Sequence, residues 1–409
     1  MYRNLTKLLK NLKPYMYENA LLSQNVPITN AVLEECVIKR REDYGIDKLP
    51  FEGYNYMQSL NHNCENIVGY TRIPTGVIGP IHGKHIPFAT TEGALISSIN
   101  RGCKLLNKSE TNIIVEDVGM TRSPIVKCNS LDEVKEVKDW IHENYGQIKD
   151  RFESETNYTK LQKIAFLQEG RHLHIRFCAT TGDAMGMNMI SKSTNNVLQY
   201  LQSRFGIKVI ALSGNTCTDK KASAINLIKG RGKRVTMDAT INQHNLMDIL
   251  KVTPNQLINL NIQKNMIGSS LAGTIGGNNC NASNVVAGLF LALGQDSAQI
   301  GTSSYCMINM DFEEGNLLVT INMPCLEVGT IGGGTRLDDQ YNNLQLLGVN
   351  DDNPPGENAM LVARTIIYSV LSCELSLMAA LCNDDLVKAH MKLNRGVIKH
   401  EKRIPWVVP

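Results

Sequence analysis

"PIVKCNSLDEVKEVKDWIHENYGQI" (residues 124–148) sets a short apolar run against a long segment of different period, and that change decides the fold. Pro124 to Cys128 reads as a strand. Ser130 followed three residues later by Glu133 is a capping box, and Leu131, Val134, Val137, Ile141, Tyr145 and Ile148 then recur at spacings of three and four, which predicts one amphipathic helix. Further along, "KIAFLQ" (163–168) and "RHLHIRFC" (171–178) read as strands. In the second, Leu173, Ile175 and Phe177 alternate with His172, His174 and Arg176. A helix from Asp183 to about Phe205 and the strand "KVIAL" (208–212) complete the order β-α-β-β-α-β, the split βαβ or ferredoxin-like arrangement, with two helices on one face of four strands. The flanking segments share no such rhythm. The unit therefore reads as an insertion into a larger domain that starts near residue 61 and resumes near 224, behind a helical, polar stretch over residues 1–60.

Bulk properties bound the function. A chain of 409 residues accommodates two or three domains, and 42 Lys+Arg against 39 Asp+Glu leave +3 with no long basic run, so a nucleic-acid partner is not indicated. Eleven cysteines are scattered singly without a CxxC pair, which points to free thiols in a reducing compartment and a cytoplasmic location. The apolar stretches at 285–294 and 360–382 are too short and interrupted by Arg364 and Glu374 respectively, so neither reads as a membrane span. The leucines of "MYRNLTKLLKNLK" sit at helical spacing and read as a helix docked on the protein's own body, with a membrane-surface helix as the alternative.

The candidate chemistry lies in glycine strings and lone charges. No GxGxxG follows a strand, so a Rossmann site is not supported. "TGDAMGMNM" (181–189) instead places Gly182 and Gly186 where backbone can approach a flat or anionic ligand at a helix N-terminus, with methionines to pack on a ring or fill the core. "EVGTIGGGT" (327–335) and "AGTIGGNN" (272–279) offer further close backbone approach. Glu92 and Asp296 are lone carboxylates among small and apolar residues, read either as pKa-shifted acids or as capping groups. Asp219 and Lys220 in "SGNTCTDKKASAIN" (213–226) and His390 in "LVKAHM" (386–391) are further acid-base candidates, His390 otherwise reading as a surface histidine. His172 and His174 share a strand face without a third ligand, so no metal is expected and a solvated face is.

These strings together resemble the 3-hydroxy-3-methylglutaryl-coenzyme A reductase family: "ENIVGYTRIPTGVIGP", "TTEG", "GMTR", "DAMGMNM", "SGNTCTDKKASAIN", "GTIGG", "GQD", "GTIGGGT" and "LVKAHM" occur in the family's order from Glu65 onward. "DAMGMNM" is similar to the class I form. The resemblance implies an α+β fold: a helical N-domain over 1–60, a large substrate-binding domain around a long central helix over 61–121 and 224–409, an inserted ferredoxin-like NAD(P)-binding domain over 122–211, and a connecting cis-loop over 212–223. It implies Glu92, Lys220, Asp296 and His390 as catalytic residues. Arg122, Ser213, Asp219, Lys221, Lys264 and Asn284 would bind substrate, and Asp183, Met185, Gly186, Met187, Asn188, Gly332, Gly333 and Gly334 would bind cofactor. The expected reaction reduces the thioester of 3-hydroxy-3-methylglutaryl-CoA to mevalonate with two NADPH, NADH not being excluded. A homodimer or homotetramer would have active sites at the dimer interface. Two departures stand out. Thr156, Asn157 and Tyr158 occupy the place where many class I members carry Ser-Arg-Phe to contact the NADPH 2′-phosphate, and Gly396 stands where animal enzymes carry a phosphorylated serine. A different NAD(P)-linked dehydrogenase and a ligand-binding scaffold are the competing readings, the second disfavoured because the catalytic positions are filled.

Overall fold

The computed structural model describes Leu9 and residues 12–60 and 62–383; His390 and Gly396 lie outside the described residues. Two helices lead, α1 (Tyr17–Ser23) and α2 (Asn30–Tyr44). Thr29 opens α2 by accepting from Val32 N at 3.3 Å, and Gly45 closes it in the left-handed conformation. Arg40, buried on α2, donates to both Glu18 carboxylate oxygens (2.5 and 2.7 Å) and to the Ile67 carbonyl at 2.7 Å, tying the leading helices to the segment that follows.

Next come the hairpin β1 (Thr75–Ile81) and β2 (Lys84–Ala89), helix α3 (Leu95–Leu106) and the long strand β3 (Glu110–Arg122). The inserted rhythm then appears as β4 (Ile125–Lys127), α4 (Leu131–Glu143), α5 (Tyr145–Glu153), β5 (Lys160–Glu169), β6 (His172–Thr180), α6 (Met187–Phe205) and β7 (Lys208–Ala211). The strands pair antiparallel in the order β7-β4-β6-β5, the ferredoxin-like order. Val134, Val137 and Ile141 of α4, Ile148 and Phe152 of α5 and Val197, Leu198 and Leu201 of α6 pack in one core with Leu173, Ile175 and Phe177 of β6.

Two details differ from the sequence reading. The expected single helix through Ile148 breaks at Asn144, which leaves the helical region (φ −108°, ψ 29°); its N–H makes the last i→i−4 bond to the Trp140 carbonyl and its side-chain amide donates to the same oxygen, both at 2.9 Å, capping the end of α4. The expected helix from Asp183 begins only at Met187, because Gly186 adopts φ +90° and the Asp183 side chain is engaged elsewhere.

The C-terminal end of β3, Met120 to Arg122, also pairs with β6, while the rest of β3 pairs with β8 (Gly232–Asn242). With β9 (Met307–Glu313) and β10 (Asn316–Leu326), one continuous sheet thus joins the inserted unit to the larger body. The loop 212–223 returns from β7 to helix α7 (Ala224–Lys229), and α8 (Ala282–Ala292) and α9 (Glu357–Cys382) complete the elements used below.

Helix α9 is long and apolar enough to cross a membrane, yet 78 % of its most apolar window is buried in this fold against α3, α8 and the sheet. Its one inward carboxylate, Glu374, accepts from the N–H groups of Cys280 and Asn281 at 2.7 Å each, so the buried charge has partners. Small residues let α3 approach: Ser98 and Ser376 hydroxyls meet at 2.9 Å, and a Cβ on Gly102 would lie 1.8 Å from the Ser372 carbonyl oxygen. Gly102→Ala must therefore push two helices apart. It is expected to lower unfolding free energy by about 1–3 kcal/mol or more in urea titrations, whereas the Cβ of Gly146→Ala meets only open space and should leave packing unaffected.

Candidate active site

The loop after β7 is strained and heavily tied down. Asn215, Thr218 and Lys220 hold positive φ (62°, 62° and 58°), conformations that cost non-glycine residues on the order of 1 kcal/mol each. Its carbonyls are caught from below: Thr121 Oγ1 donates to Cys217 O at 2.8 Å, and Arg176 Nε donates to Thr216 O at 3.2 Å. The Thr216 hydroxyl meets Ser123 Oγ at 2.6 Å and His174 Nδ1 at 3.1 Å. The face carrying His174 is thus covered by this loop rather than solvated as expected, and burial pulls the His174 pKa down. The restraints project Lys220 toward Asp296, with Nζ 3.2 Å from Oδ2. Asp296 is itself oriented by accepting from Ala298 N at 3.0 Å.

Beneath Lys220 lies Arg231, with no exposed surface. Its Nη2 donates to Asp219 Oδ1 at 3.1 Å and its Nε to Thr121 Oγ1 at 3.0 Å, while Nη1 lies 2.7 Å from Glu327 Oε2 without the alignment of a hydrogen bond. Gln299 Nε2 adds a 2.9 Å bond to the same Asp219 oxygen. Burial alone would raise the Asp219 pKa; the Gln299 bond and the charges of Arg231 and Arg122 outweigh it and hold the carboxyl below its ordinary range. For Glu327 the balance reverses: burial dominates the opposing pull of Arg231, and its pKa is pushed up to about 7. The two carboxylates on one guanidinium are therefore held in different ionisation ranges.

A cleft of about 640 Å³ brings together Arg122, Asp219, Lys220, Asp296, Met185, Gly186, Met187, Asn188 and Gly332 to Gly334. Its floor is two glycine strings side by side, linked by the parallel bridge of Ala184 to Ile331. A Cβ at Gly329 would strike Met185 N at 2.4 Å and one at Gly294 would strike Gly334 O at 2.4 Å, so these glycines are what allow the strands of loop to touch. Gln295 clamps the arrangement, donating to and accepting from the Gly329 backbone at 2.9 Å. At Gly332 and Gly333, by contrast, an added Cβ would enter open space.

Other expected residues lie apart. Asp183 does not line the cleft: its carboxylate accepts from Gly356 N (2.7 Å) and Ala359 N (2.9 Å), capping the buried N-terminus of α9 where the helix dipole favours an anion. Ser213 contacts Cys217 Sγ at 3.4 Å, and Lys221 is exposed with Nζ 3.4 Å from the Asp219 carbonyl. Glu92 is exposed in the turn before α3, Lys264 is exposed on the π-helical stretch Asn261–Gly268, and Asn284 sits in the first turn of α8. None of these three lines the cleft. The charges of Glu92 and Glu374 act on Cys373, and that of Lys264 on Glu374 and Cys280, placing Glu92 and Lys264 around the second half of α9.

A sequence model described as Hydroxymethylglutaryl-coenzyme A reductase matches residues 31–395. The chain is 47 % identical over 385 residues to the 3-hydroxy-3-methylglutaryl-coenzyme A reductase of Agrotis ipsilon, covering 91 % of this chain and 46 % of that protein. It is also 47 % identical over 365 residues to that of Drosophila melanogaster, covering 86 % of this chain and 40 % of that protein. The chain belongs to the hydroxymethylglutaryl-coenzyme A reductase family. It spans less than half the length of these two relatives. A solved class II reductase from Streptococcus pneumoniae, bound to NADPH in open conformations, superposes with a TM-score of 0.64 at 14 % identity over 93 % of this chain and 99 % of that one, which establishes the α+β fold.

The sequence reading passed over three residues of this candidate site, Arg231, Glu327 and Gln299. Glu327 carries the signal that drew attention to Glu92 and Asp296, a lone carboxylate among apolar and small residues in "PCLEVGT". Arg231 gave none, because two of its partners, Thr121 and Glu327, are remote in the chain. The raised Glu327 pKa has a stability consequence of definite sign. An acid whose folded pKa exceeds its unfolded value contributes stability that is fully present below about 4.5 and is lost as pH rises through about 7. The unfolding free energy of the protein relative to Glu327→Gln should therefore fall by about 1.4 kcal/mol per pH unit across that window and stay level above it, measured by urea denaturation at stepped pH.

Proposed function

We propose that this chain reduces the thioester of 3-hydroxy-3-methylglutaryl-CoA to mevalonate and free coenzyme A, consuming two NADPH and two protons. The supporting observation is the Lys220 ammonium, 3.2 Å from Asp296, in a cleft whose other wall is Met185 to Asn188 and the open Gly332 and Gly333 backbone. The glycine cradle leaves room where side chains would otherwise stand, and the methionines offer soft apolar surface for a planar ring, so the residues fit a nicotinamide nucleotide. NADPH, when bound there, supplies the hydrides.

The protein's own part is electrostatic and positional. Lys220 sits where negative charge develops on the acyl oxygen, and a fixed ammonium acts most strongly in a site that excludes water. Asp296 fixes that ammonium. Asp219, kept ionised by Arg231 and Gln299, accepts from the substrate hydroxyl, and Arg122, Ser213, Lys221 and Lys264 hold the substrate carboxylate. Glu92 donates the proton as mevaldehyde becomes mevalonate, and His390 protonates the departing thiolate.

Glu92 and Lys264 lie apart from the Lys220 cleft of their own chain, so we assign them to the cleft of a second copy, making the working unit at least a homodimer. The exposed Ile262, Ile267, Leu271 and Ile275 form an apolar stretch beside Lys264 that a second copy would cover.

Mixing protein, NADPH and the acyl thioester should consume two nicotinamides per free thiol released; a ratio of one would sink the proposal in favour of a simple dehydrogenase. Lys220→Ala should abolish turnover while circular dichroism and the urea midpoint stay unchanged. Asn157, which offers no charge to the 2′-phosphate, leaves NADPH and NADH weakly discriminated. Asn157→Arg should lower the NADPH KM by about tenfold or more, the value of a charge-assisted contact of roughly 1.5–3 kcal/mol, without moving that for NADH.

A further inference from the structure

A second cleft, of about 580 Å³, opens on the face of the inserted sheet opposite its helices. Because Leu173, Ile175 and Phe177 of β6 point into the helical core, the period of two turns Arg176 to the other side. Arg176 is 2 % exposed and lines this cleft. Its Nε is used by the Thr216 carbonyl, but Nη2 is buried with no hydrogen-bond partner among the described residues. Among the described residues no carboxylate forms an ion pair with it, and the buried Arg231 is a like-charged neighbour. A buried guanidinium without an anion is costly.

Three more cations line the same cleft: Lys163 from β5, Lys229 from the end of α7 and Arg234 from β8. On β5 the register sets Ala165 against Arg176 and Lys163 against Cys178, so Lys163 stands on the same face as the guanidinium. Two carboxylates are near. Asp117 is already ion-paired with the buried Lys233, and Glu116, exposed, reaches Arg234 Nη1 only at 3.6 Å. The lining therefore carries four positive side chains against one carboxylate that is engaged elsewhere. It shares no residue with the Lys220 cleft.

We propose that this second cleft is a binding site for a phosphate-bearing small molecule, with the Arg176 guanidinium as its floor and Lys163, Lys229 and Arg234 as its walls. A phosphate supplies several acceptor oxygens and up to two charges, matching donors that converge from three directions, and the guanidinium fork suits it. The site is a pocket, not a track for a polymer. Through Arg176 Nε and Thr216 O, its floor is one side chain from the loop that carries Lys220.

Pyrophosphate titrated calorimetrically into the whole chain saturated with NADPH provides the test. Binding is expected to persist under NADPH, to weaken at least fivefold in each of Lys229→Gln and Arg234→Gln, and at least twentyfold in the double variant. Both positions lie at the cleft wall outside the proposed catalytic machinery, so the variants should keep the parent's melting temperature. The proposal falls if pyrophosphate does not bind, if NADPH displaces it, or if affinity is unchanged in the double variant. Since no turnover is measured, a failure here leaves the catalytic proposal intact, and the reverse holds too.

Discussion

One guanidinium without contact to water organises the site. Arg231 stands between Asp219 and Glu327 and reaches through the Thr121 hydroxyl to the Cys217 carbonyl, so β3, β8, the loop after β7 and the string after β10 meet at a single cation. Burying such a charge is tolerable only when anions and acceptors surround it. Here the surroundings are distributed across the sequence, and the arrangement that satisfies the charge also fixes the loop. The left-handed conformations at Thr218 and Lys220 persist because the bonds on either side over-determine them. Strain at Lys220 and neutralisation of Arg231 are thus two sides of one constraint.

Around that cation the fold works by close approach of backbones. Glycines at 294, 329 and 334 are needed because other backbone atoms already occupy the space of a side chain, whereas those at 332 and 333 leave space unfilled. The first group builds the cleft and the second shapes what it can hold. Asp183 extends the same logic: its carbonyl accepts from Thr330 N at 2.7 Å while its carboxylate caps α9, so the glycine strings are referenced to the central helix.

Much of this was legible in the sequence, and the rest was hidden for identifiable reasons. The alternation in "RHLHIRFC" and the spacing of three and four after Ser130 sufficed for the ferredoxin-like order, since both signals are local. The break at Asn144 was not legible, because an amide turning back on its own helix leaves the apolar spacing untouched. Asp183 was assigned to the cofactor by family resemblance, and nothing local disclosed its cap, because its partners, Gly356 and Ala359, lie at the start of another helix far along the chain. Arg231 was passed over for the same reason. Asp296 stood out as a lone carboxylate among small residues and Lys220 as one of three adjacent charges, and the structure places the two together. Glu92 carried the same local signal as Asp296, Lys264 and Asn284 rest on family resemblance, and all three sit away from that pair in one chain.

The central claim is that Lys220, fixed by Asp296 above the Arg231 network, is the cation that meets the acyl oxygen. A crystal structure of the protein with a non-reactive acyl-CoA analogue addresses it directly. The account predicts the Lys220 Nζ within about 3.2 Å of the acyl oxygen with the Asp296 contact retained. An ammonium directed into bulk water, with the acyl group held by other residues, would contradict it.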